Sequence, residues 1–566
     1  MSTRVAPSAP AAVLVLFLGL PIPGSFDPSR PETASYIRVN QAGYLPADRK
    51  VALLLTNANA GNQTFRVVAD SGGATAFSAR VGPDRGPYGT FAHVYELNFS
   101  SLDRNGTYRV RFGGSTSPVF TIAASPYGGL VGISLEFFHV QRCGDTRPSL
   151  HGICHLKDGK AKDGPAAGMA VDASGGWHDA GDYLKFLINS GFSTVMLLAA
   201  YQHDPLAFDD ENENDVPDVL DEARIGVEWI FRLWDPRRKI LYYQVGDESD
   251  HDSWRMPEED NDLPPRPVWA CKPGKGANVA GKAAAALAMA ASIWGDSANA
   301  FYDADLATRY AKAAKEIYAF GKSRPGAQSS TSGFYTESTW RDDMALAGAA
   351  LYRATGRASY LNEARAYATA ARNAYYFGYG DVHGLAHYEI AQLDPSYVAK
   401  AKALLGEDLA AFHEWADQNP FRSAVDAYRW GSATEMTGAA LEALWYEEIS
   451  GDTKYHAMAL DQRDYILGAN PWGVCLVAAL GTTYPRAPHH QVADLTHSVL
   501  TGFWDEGPME RKDWNDLGIS LNDPDEYADF QSGEALYHDD VADYATNEPT
   551  INANAEGIAL IARMRP

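Results

Sequence analysis

Between Tyr36 and Ile122 the apolar positions fall in short alternating or filled runs, "SYIRVNQAGYLP", "KVALLLTN", "QTFRVVAD", "FAHVYELNFSSL", "GTYRVRFGG" and "SPVFTIA". Gly, Asn, Asp and Pro interrupt them at intervals of roughly ten residues, the punctuation of a small antiparallel sandwich. Residues 34–122 are therefore predicted to be all-β. After "ASPYGG" the period lengthens, and from about Val131 the strong apolar segments repeat as helices do: "FSTVMLLAAY", "GKAAAALAMAASIW", "LATRYAKAAKEIYAF", "DMALAGAALYRA", "YLNEARAYATAARNAYY", "MTGAALEALWYEEI" and "NANAEGIALIARM". Small side chains let such helices approach closely, and no strand-like segment separates them. The pattern predicts a helical barrel or toroid over residues 123–566, with chemistry on the irregular loops at one end.

The 566 residues are too many for one small core, in keeping with two units. A formal charge of −24 argues against a nucleic-acid partner. The first residues, "MSTRVAPSAPAAVLVLFLGLPIPGSF", place Arg4 ahead of an apolar stretch and a Pro/Gly break. Residues 1–33 thus read as a leader and predict a secreted or periplasmic protein. The four cysteines are too sparse for a disulfide framework.

Four clusters offer chemistry. Cys143, Cys154, His155 and His178 supply two thiolates and two imidazoles, a set suited to a closed tetrahedral zinc; the alternative is buried free thiols beside unrelated histidines. "DENENDVPDVLD" puts Asp210, Asn212, Asn214, the carbonyl of Val216, Asp218 and Asp221 at loop positions 1, 3, 5, 7, 9 and 12, the wrapping order of calcium loops, with Asp215 where glycine is usual. An acidic lead-in to a helix would look the same. Ser338, Thr339, Asp342 and Asp343 form a second oxygen cluster. "GGWHDAGDYLKF" holds Asp179 and Asp182, and "YHDDVADYATNEPTINANA" holds Asp539, Asp540, Asp543 and Glu548 ahead of a helix. Such acids either complement a helix dipole or pair across the fold for acid/base work.

Taken together these stretches resemble glycoside hydrolase family 9, the inverting cellulases, in the subgroup with an N-terminal immunoglobulin-like module. "IRVNQAGYLPADRKVALL" resembles the start of that module, and "GGWHDAGD" the segment whose aspartates hold the nucleophilic water. Tyr537, Asp539, Tyr544, Glu548, Thr550, Asn554 and Ala555 match the second family motif. The resemblance implies an all-α (α/α)6 barrel that cuts β-1,4-glucan with inversion. Asp182 would be general base assisted by Asp179, Glu548 general acid, and His489 and Asp539 would join the catalytic set. Inversion needs carboxyls roughly 6.5–9.5 Å apart. The resemblance also implies structural zinc on the Cys143 set, calcium in both oxygen clusters with Asp381 completing the second, and no organic cofactor. His251, Trp254, Trp340, Trp430, Gln491 and Tyr544 are the candidate sugar contacts. Gln491 stands where the family has an arginine, and Ala553 where an aromatic is common. The expected protein is a monomer acting endo on β-glucan polysaccharide. Exo action (a β-glucosidase, cellobiohydrolase or glucosaminidase on the same scaffold) and a non-catalytic glucan-binding module are the alternatives.

Overall fold

The computed structural model describes residues 34–371 and 376–565, so the leader read at 1–33 lies outside the described residues. Eight strands come first: β1 (Ser35–Arg38), β2 (Val51–Thr56), β3 (Thr64–Ala69), β4 (Thr75–Arg80), β5 (His93–Asn98), β6 (Gly106–Phe112), β7 (Ser115–Thr116) and β8 (Phe120–Ile122). They form two sheets, β1-β2-β5 and β4-β3-β6-β7 with β8 also on β6. Strand β4, "TAFSAR", escapes the sequence pattern because its core-facing residues, Phe77 and Ala79 among them, are few and only partly buried.

Strand β2 is apolar at nearly every position because both of its faces are covered. Ala52 and Leu54 point into the sandwich core with Val67 and Phe120. Val51, Leu53 and Leu55 join the larger core of the helical domain with Tyr127 and Leu130. Polar ties reinforce the junction: Asn40 Nδ2 donates to Asp464 Oδ1 at 2.8 Å, and Arg422 Nε to Glu96 Oε1 at 2.9 Å.

The helices are α1 (Leu130–Gln141), α2 (Leu187–His203), α3 (Asp218–Arg232), α4 (Ala277–Trp294), α5 (Ala304–Lys322), α6 (Arg341–Thr355), α7 (Ala358–Ala370), α8 (His383–Leu393), α9 (Val398–Gln418), α10 (Ser432–Ser450), α11 (His456–Ile466), α12 (Gln491–Thr496), α13 (Arg511–Leu517) and α14 (Ile551–Arg563). Six of them, α2, α4, α6, α8, α10 and α14, each pack on the next, and α14 returns to α2 to close the ring. Among these, α2, α4 and α10 are buried almost all round, which explains their weak amphipathicity and small apolar residues. The outer helices α3, α5 and α9 bury one stripe only. The arrangement is an (α/α)6 barrel. Arg85 of the sandwich closes the end of α9 by donating to the carbonyls of Ala416, Asp417 and Asn419 at 2.8–3.1 Å.

One correction concerns the loops. The apolar pattern shows no strands among the helices, yet Lys185–Phe186, Ile240–Val245, Pro267–Ala270 and Lys160–Ala161 form a small sheet. Its strands are short, and the one long run, "ILYYQV", is buried throughout and carries no alternation to mark it. This sheet supports the loop that precedes α2. No helix among the described residues is long and apolar enough to cross a membrane.

Candidate active site

The loop 175–186 leaves α1 behind and enters the small sheet at Lys185. Its form depends on two glycines. Gly176 has φ +74°, and a Cβ there would meet the Trp229 ring at 2.6 Å; one on Gly181 would lie 2.1 Å from the carbonyl oxygen of His489. Trp177 is buried and donates Nε1 to Glu222 Oε1 at 2.6 Å. The backbone amide of Gly181 then donates to Glu548 Oε1 at 3.1 Å, so residues 367 positions apart meet.

Asp179, Asp182 and Glu548 line one cleft of about 750 Å³, together with His251, Trp254, Trp430, His489 and Tyr544. Asp179 is buried; its carboxylate accepts from Asn189 Nδ2 at 3.0 Å and from the Tyr335 hydroxyl. Burial, and then the charge of Asp182, push Asp179 well above the usual carboxylate range. Asp182 accepts from the Leu184 amide at 2.7 Å and sits 3.0 Å from His251 Nε2, which raises the imidazole. Glu548 stands two residues before Thr550, whose hydroxyl caps α14. Burial raises it well above the ordinary glutamate range, with Asp182 and Glu506 adding to the effect. His489 donates from Nδ1 to the carbonyl of Val541 at 2.6 Å, which leaves Nε2 as an acceptor, and burial holds the ring neutral. Trp254 and Tyr544 pack edge-on against that ring, and Trp430 leans on Tyr544.

Three expected contacts lie elsewhere. Asp539 is outside the cleft lining; its oxygens accept from the amides of Arg486 and Ala487 at 2.7–2.9 Å and so hold the loop that bears His489. Gln491 is buried at the start of α12, where its amide donates to the Gly181 carbonyl at 3.0 Å and its Oε1 accepts from the Arg255 amide at 3.2 Å. It clamps the aspartate loop from behind. Trp340 packs against Tyr367 at 5.8 Å, away from the cleft. Conversely, Glu506, Phe334, Tyr335, Tyr379 and Asn552 line the cleft without any signal in the sequence. Glu506 is pushed up to about 7 by burial. "YTEST" and "WDEGP" carry no spacing that would mark them.

Behind the aspartate loop, Cys143, Cys154, His155 and His178 are all buried, with ligand atoms within 4.8 Å of one another. Cys143 Sγ lies 3.8 Å from His155 Nδ1, and Cys154 Sγ 3.7 Å from His178 Nε2. Thiolate and imidazole bonds to one tetrahedral ion give an edge of about 3.6 Å, so the set fits a single metal. His155 Nε2 contacts Asp260 at 2.9 Å, the carboxylate support that metal-bound imidazoles ordinarily have.

The loop before α3 also closes on itself. Asp210 accepts from the amides of Asn214 and Asp215 at 3.1 and 2.8 Å, while Asn212 and Asn214 converge on Asp221 Oδ2. Asp215 has φ +67°, so it adopts the left-handed conformation for which calcium loops use glycine. In the second oxygen cluster Thr339 donates to Asp342 at 2.7 Å, Asp342 accepts from the Val382 amide, and Asp381 accepts from the His383 amide and contacts its Nδ1, while Nε2 of the same ring contacts Asp408. Asp343 is ion-paired to Lys282. Ser338 is exposed.

Two aspartates facing a raised glutamate across an aromatic cleft define a glycosidase-type acid/base site on an (α/α)6 barrel. The sequence profile of glycosyl hydrolase family 9 matches residues 127–561, and that of the cellulase N-terminal Ig-like domain matches residues 32–117. The chain belongs to glycosyl hydrolase family 9, as a glycoside hydrolase with an N-terminal Ig-like domain. It is 27% identical to endoglucanase C of Cellulomonas fimi over 93% of its length, although it spans only 51% of that protein. It is 26% identical to a xyloglucan-specific endo-β-1,4-glucanase of Bacteroides ovatus, with 93% of both chains covered. The crystal structure of a metagenome-derived family 9 endoglucanase superposes with a TM-score of 0.79 at 28% identity, covering 94% of this chain and 99% of that one.

Proposed function

We propose that the protein is an endo-acting β-1,4-glucanase that inverts the anomeric centre. A water held between Asp179 and Asp182 attacks the anomeric carbon. Asp182 takes its proton as the new C–O bond forms, while Glu548 gives a proton to the glycosidic oxygen as the old bond breaks. The observation that carries this reading is the opposition of Asp179/Asp182 and Glu548 in one cleft, with Glu548 raised by burial toward the proton-bearing form a general acid needs. The raised Asp179, already engaged by Asn189 and Tyr335, leaves the role of base to Asp182. Neutral His489 and the half-exposed Trp430 and Tyr544 offer an acceptor and two flat faces to sugar rings.

Zinc suits the Cys143, Cys154, His155 and His178 set, where four protein ligands leave no place for a water; bound there, it fixes the aspartate loop and takes no part in the chemistry. Calcium suits the 210–221 loop, whose oxygens and left-handed Asp215 follow the wrapping order. A polymeric substrate and the leader-like residues 1–33 support export.

The test is the course of products on a soluble β-1,4-glucan, with proton NMR of the first anomer formed. Random shortening with the α-anomer appearing first is expected. Steady release of one small sugar would overturn endo action, and an initial β-anomer would overturn inversion.

A further inference from the structure

We infer that the acidic cluster at the start of α6 carries its own cation: the ammonium of Lys282 stands where family resemblance implies a second calcium. Lys282 lies on inner helix α4 and is fully buried. Its Nζ is 2.5 Å from Asp343 Oδ1 and 2.9 Å from Glu337 Oε1. The neighbouring Gly281 allows this approach, since a Cβ there would come within 2.4 Å of Asp343 Cβ. The helices are therefore packed closely enough for one short ion-paired reach between them.

The remaining acids of the expected calcium set are served by protein donors as well. Asp342 accepts from the Thr339 hydroxyl at 2.7 Å and from the Val382 amide at 2.9 Å. Asp381 accepts from the amide and Nδ1 of His383. Glu337, which lies outside that expected set, accepts at Oε2 from Asn278 Nδ2 at 2.6 Å. Asp343 Oδ2 is buried with no hydrogen-bond partner among the described residues. Calcium collects six to eight oxygens around itself, and here a dication would have to share its nearest carboxylate with a fixed positive charge. The acids of the 210–221 loop also accept from protein donors, but that loop contains no lysine or arginine and lies at the surface. Carboxylate oxygens of Glu337, Asp342 and Asp343 do lie within 4.8 Å of one another, but the Lys282 ammonium already bridges two of these acids, so the cluster does not fit a second cation; this inference is independent of which glucan the enzyme cuts.

Metal counting on the full-length protein decides the matter. After EGTA treatment and dialysis against calcium, mass spectrometry should find no more than one calcium per chain. Any ion found should disappear in D210N and persist in D342N. Two ions per wild-type chain, or loss of an ion in D342N, would overturn the inference. In the D210N background, K282Q should melt lower than its parent in EGTA and regain stability on adding calcium. A K282Q protein that melts with its parent in EGTA would show the ammonium to be dispensable and would sink the idea. If K282Q does not fold, the counts on wild type, D210N and D342N decide by themselves.

Discussion

The two loops that face each other across the cleft are both rich in acids but are held in unlike ways. Loop 175–186 contributes His178 to the buried cluster with Cys143, Cys154 and His155, proposed above to hold zinc, and is tied down by the Trp177–Glu222 hydrogen bond. Loop 537–550 is pinned by its own carboxylates. Asp543 accepts from the amides of Ala545 and Thr546, from the Thr546 hydroxyl and from Trp514 Nε1, and contacts His538 Nδ1; Asp540 accepts from the amides of Asn522, Asp523 and Ala542. Glu548 in the same loop receives one donor, the Gly181 amide, and is raised. Donors to a carboxylate favour its charged form and tie it to the scaffold, while burial favours the proton-bearing form. The two effects compete, since burial still raises Asp179 and Asp539 although each accepts hydrogen bonds, and their balance, more than position in sequence, separates tether from acid here.

The largest break in this comparison comes from removing the proton transfer itself. E548Q and D182N should each lower kcat by about 10³-fold or more while leaving the melting temperature near wild type, because general acid and general base catalysis are each worth about 10²–10⁴-fold. Activity on an aryl glucoside with a good leaving group should recover in E548Q and stay low in D182N. Equal losses on both substrates would remove the distinction between the two carboxylates.

Next in size is the metal cluster. C143S, or removal of the ion with a strong chelator, should cost about 10–100-fold in activity, the scale on which misplaced metal-site support acts. The melting temperature should fall, and kcat should suffer more than KM because Asp182 loses its aim. Restoring zinc should recover the chelated wild type but not C143S. A chelated enzyme of full activity would mean that the loop needs no pin.

Glu506 probes the same balance through pH. Burial raises it from an ordinary 4.5 to about 7, so the folded state binds its proton more tightly than the unfolded one. Its contribution is fully present below pH 4.5 and is lost as pH rises through about 7. E506Q cannot ionise, so thermal melts from pH 5 to pH 9 should show a shallower alkaline decline than wild type. Identical slopes would remove Glu506 as a titrating group. Glu548 follows the same sign in activity, with kcat falling as pH rises through its raised pKa.

Much of this is legible in the sequence. The switch from short apolar runs to alanine-rich helices marks the passage from β8 to α1, and Asp179, Asp182 and Glu548 sit in motifs dense enough to read. Glu506, Tyr335 and Tyr379 are not legible, because each reaches the cleft from a loop whose own residues hold no pattern; only closure of the barrel brings them there. Gln491 reads as a sugar contact because it stands where the resembled family has an arginine, yet its helix turns it inward to the back of the Asp182 loop. Ala553 is buried within α14 and Asn552 lines the cleft instead, an outcome of helix rotation that residue identity does not reveal.

The smallest expected effect is the sharpest test of that balance. Asp539 belongs to the same motif as Glu548, but its two oxygens take three hydrogen bonds from the amides of Arg486 and Ala487, two residues before His489. An asparagine offers one acceptor oxygen in place of two, so D539N gives up at least one charge-assisted bond, each worth about 1.5–3 kcal/mol. That loss loosens the loop whose histidine faces the substrate and leaves Glu548 untouched. D539N should raise KM several-fold, lower kcat by about tenfold or less, and keep the alkaline limb of the pH profile where wild type has it. A donor of the catalytic proton would behave otherwise: a loss of kcat on the scale of E548Q, with the alkaline limb displaced, would place Asp539 among the catalytic residues and break the separation between tether and acid.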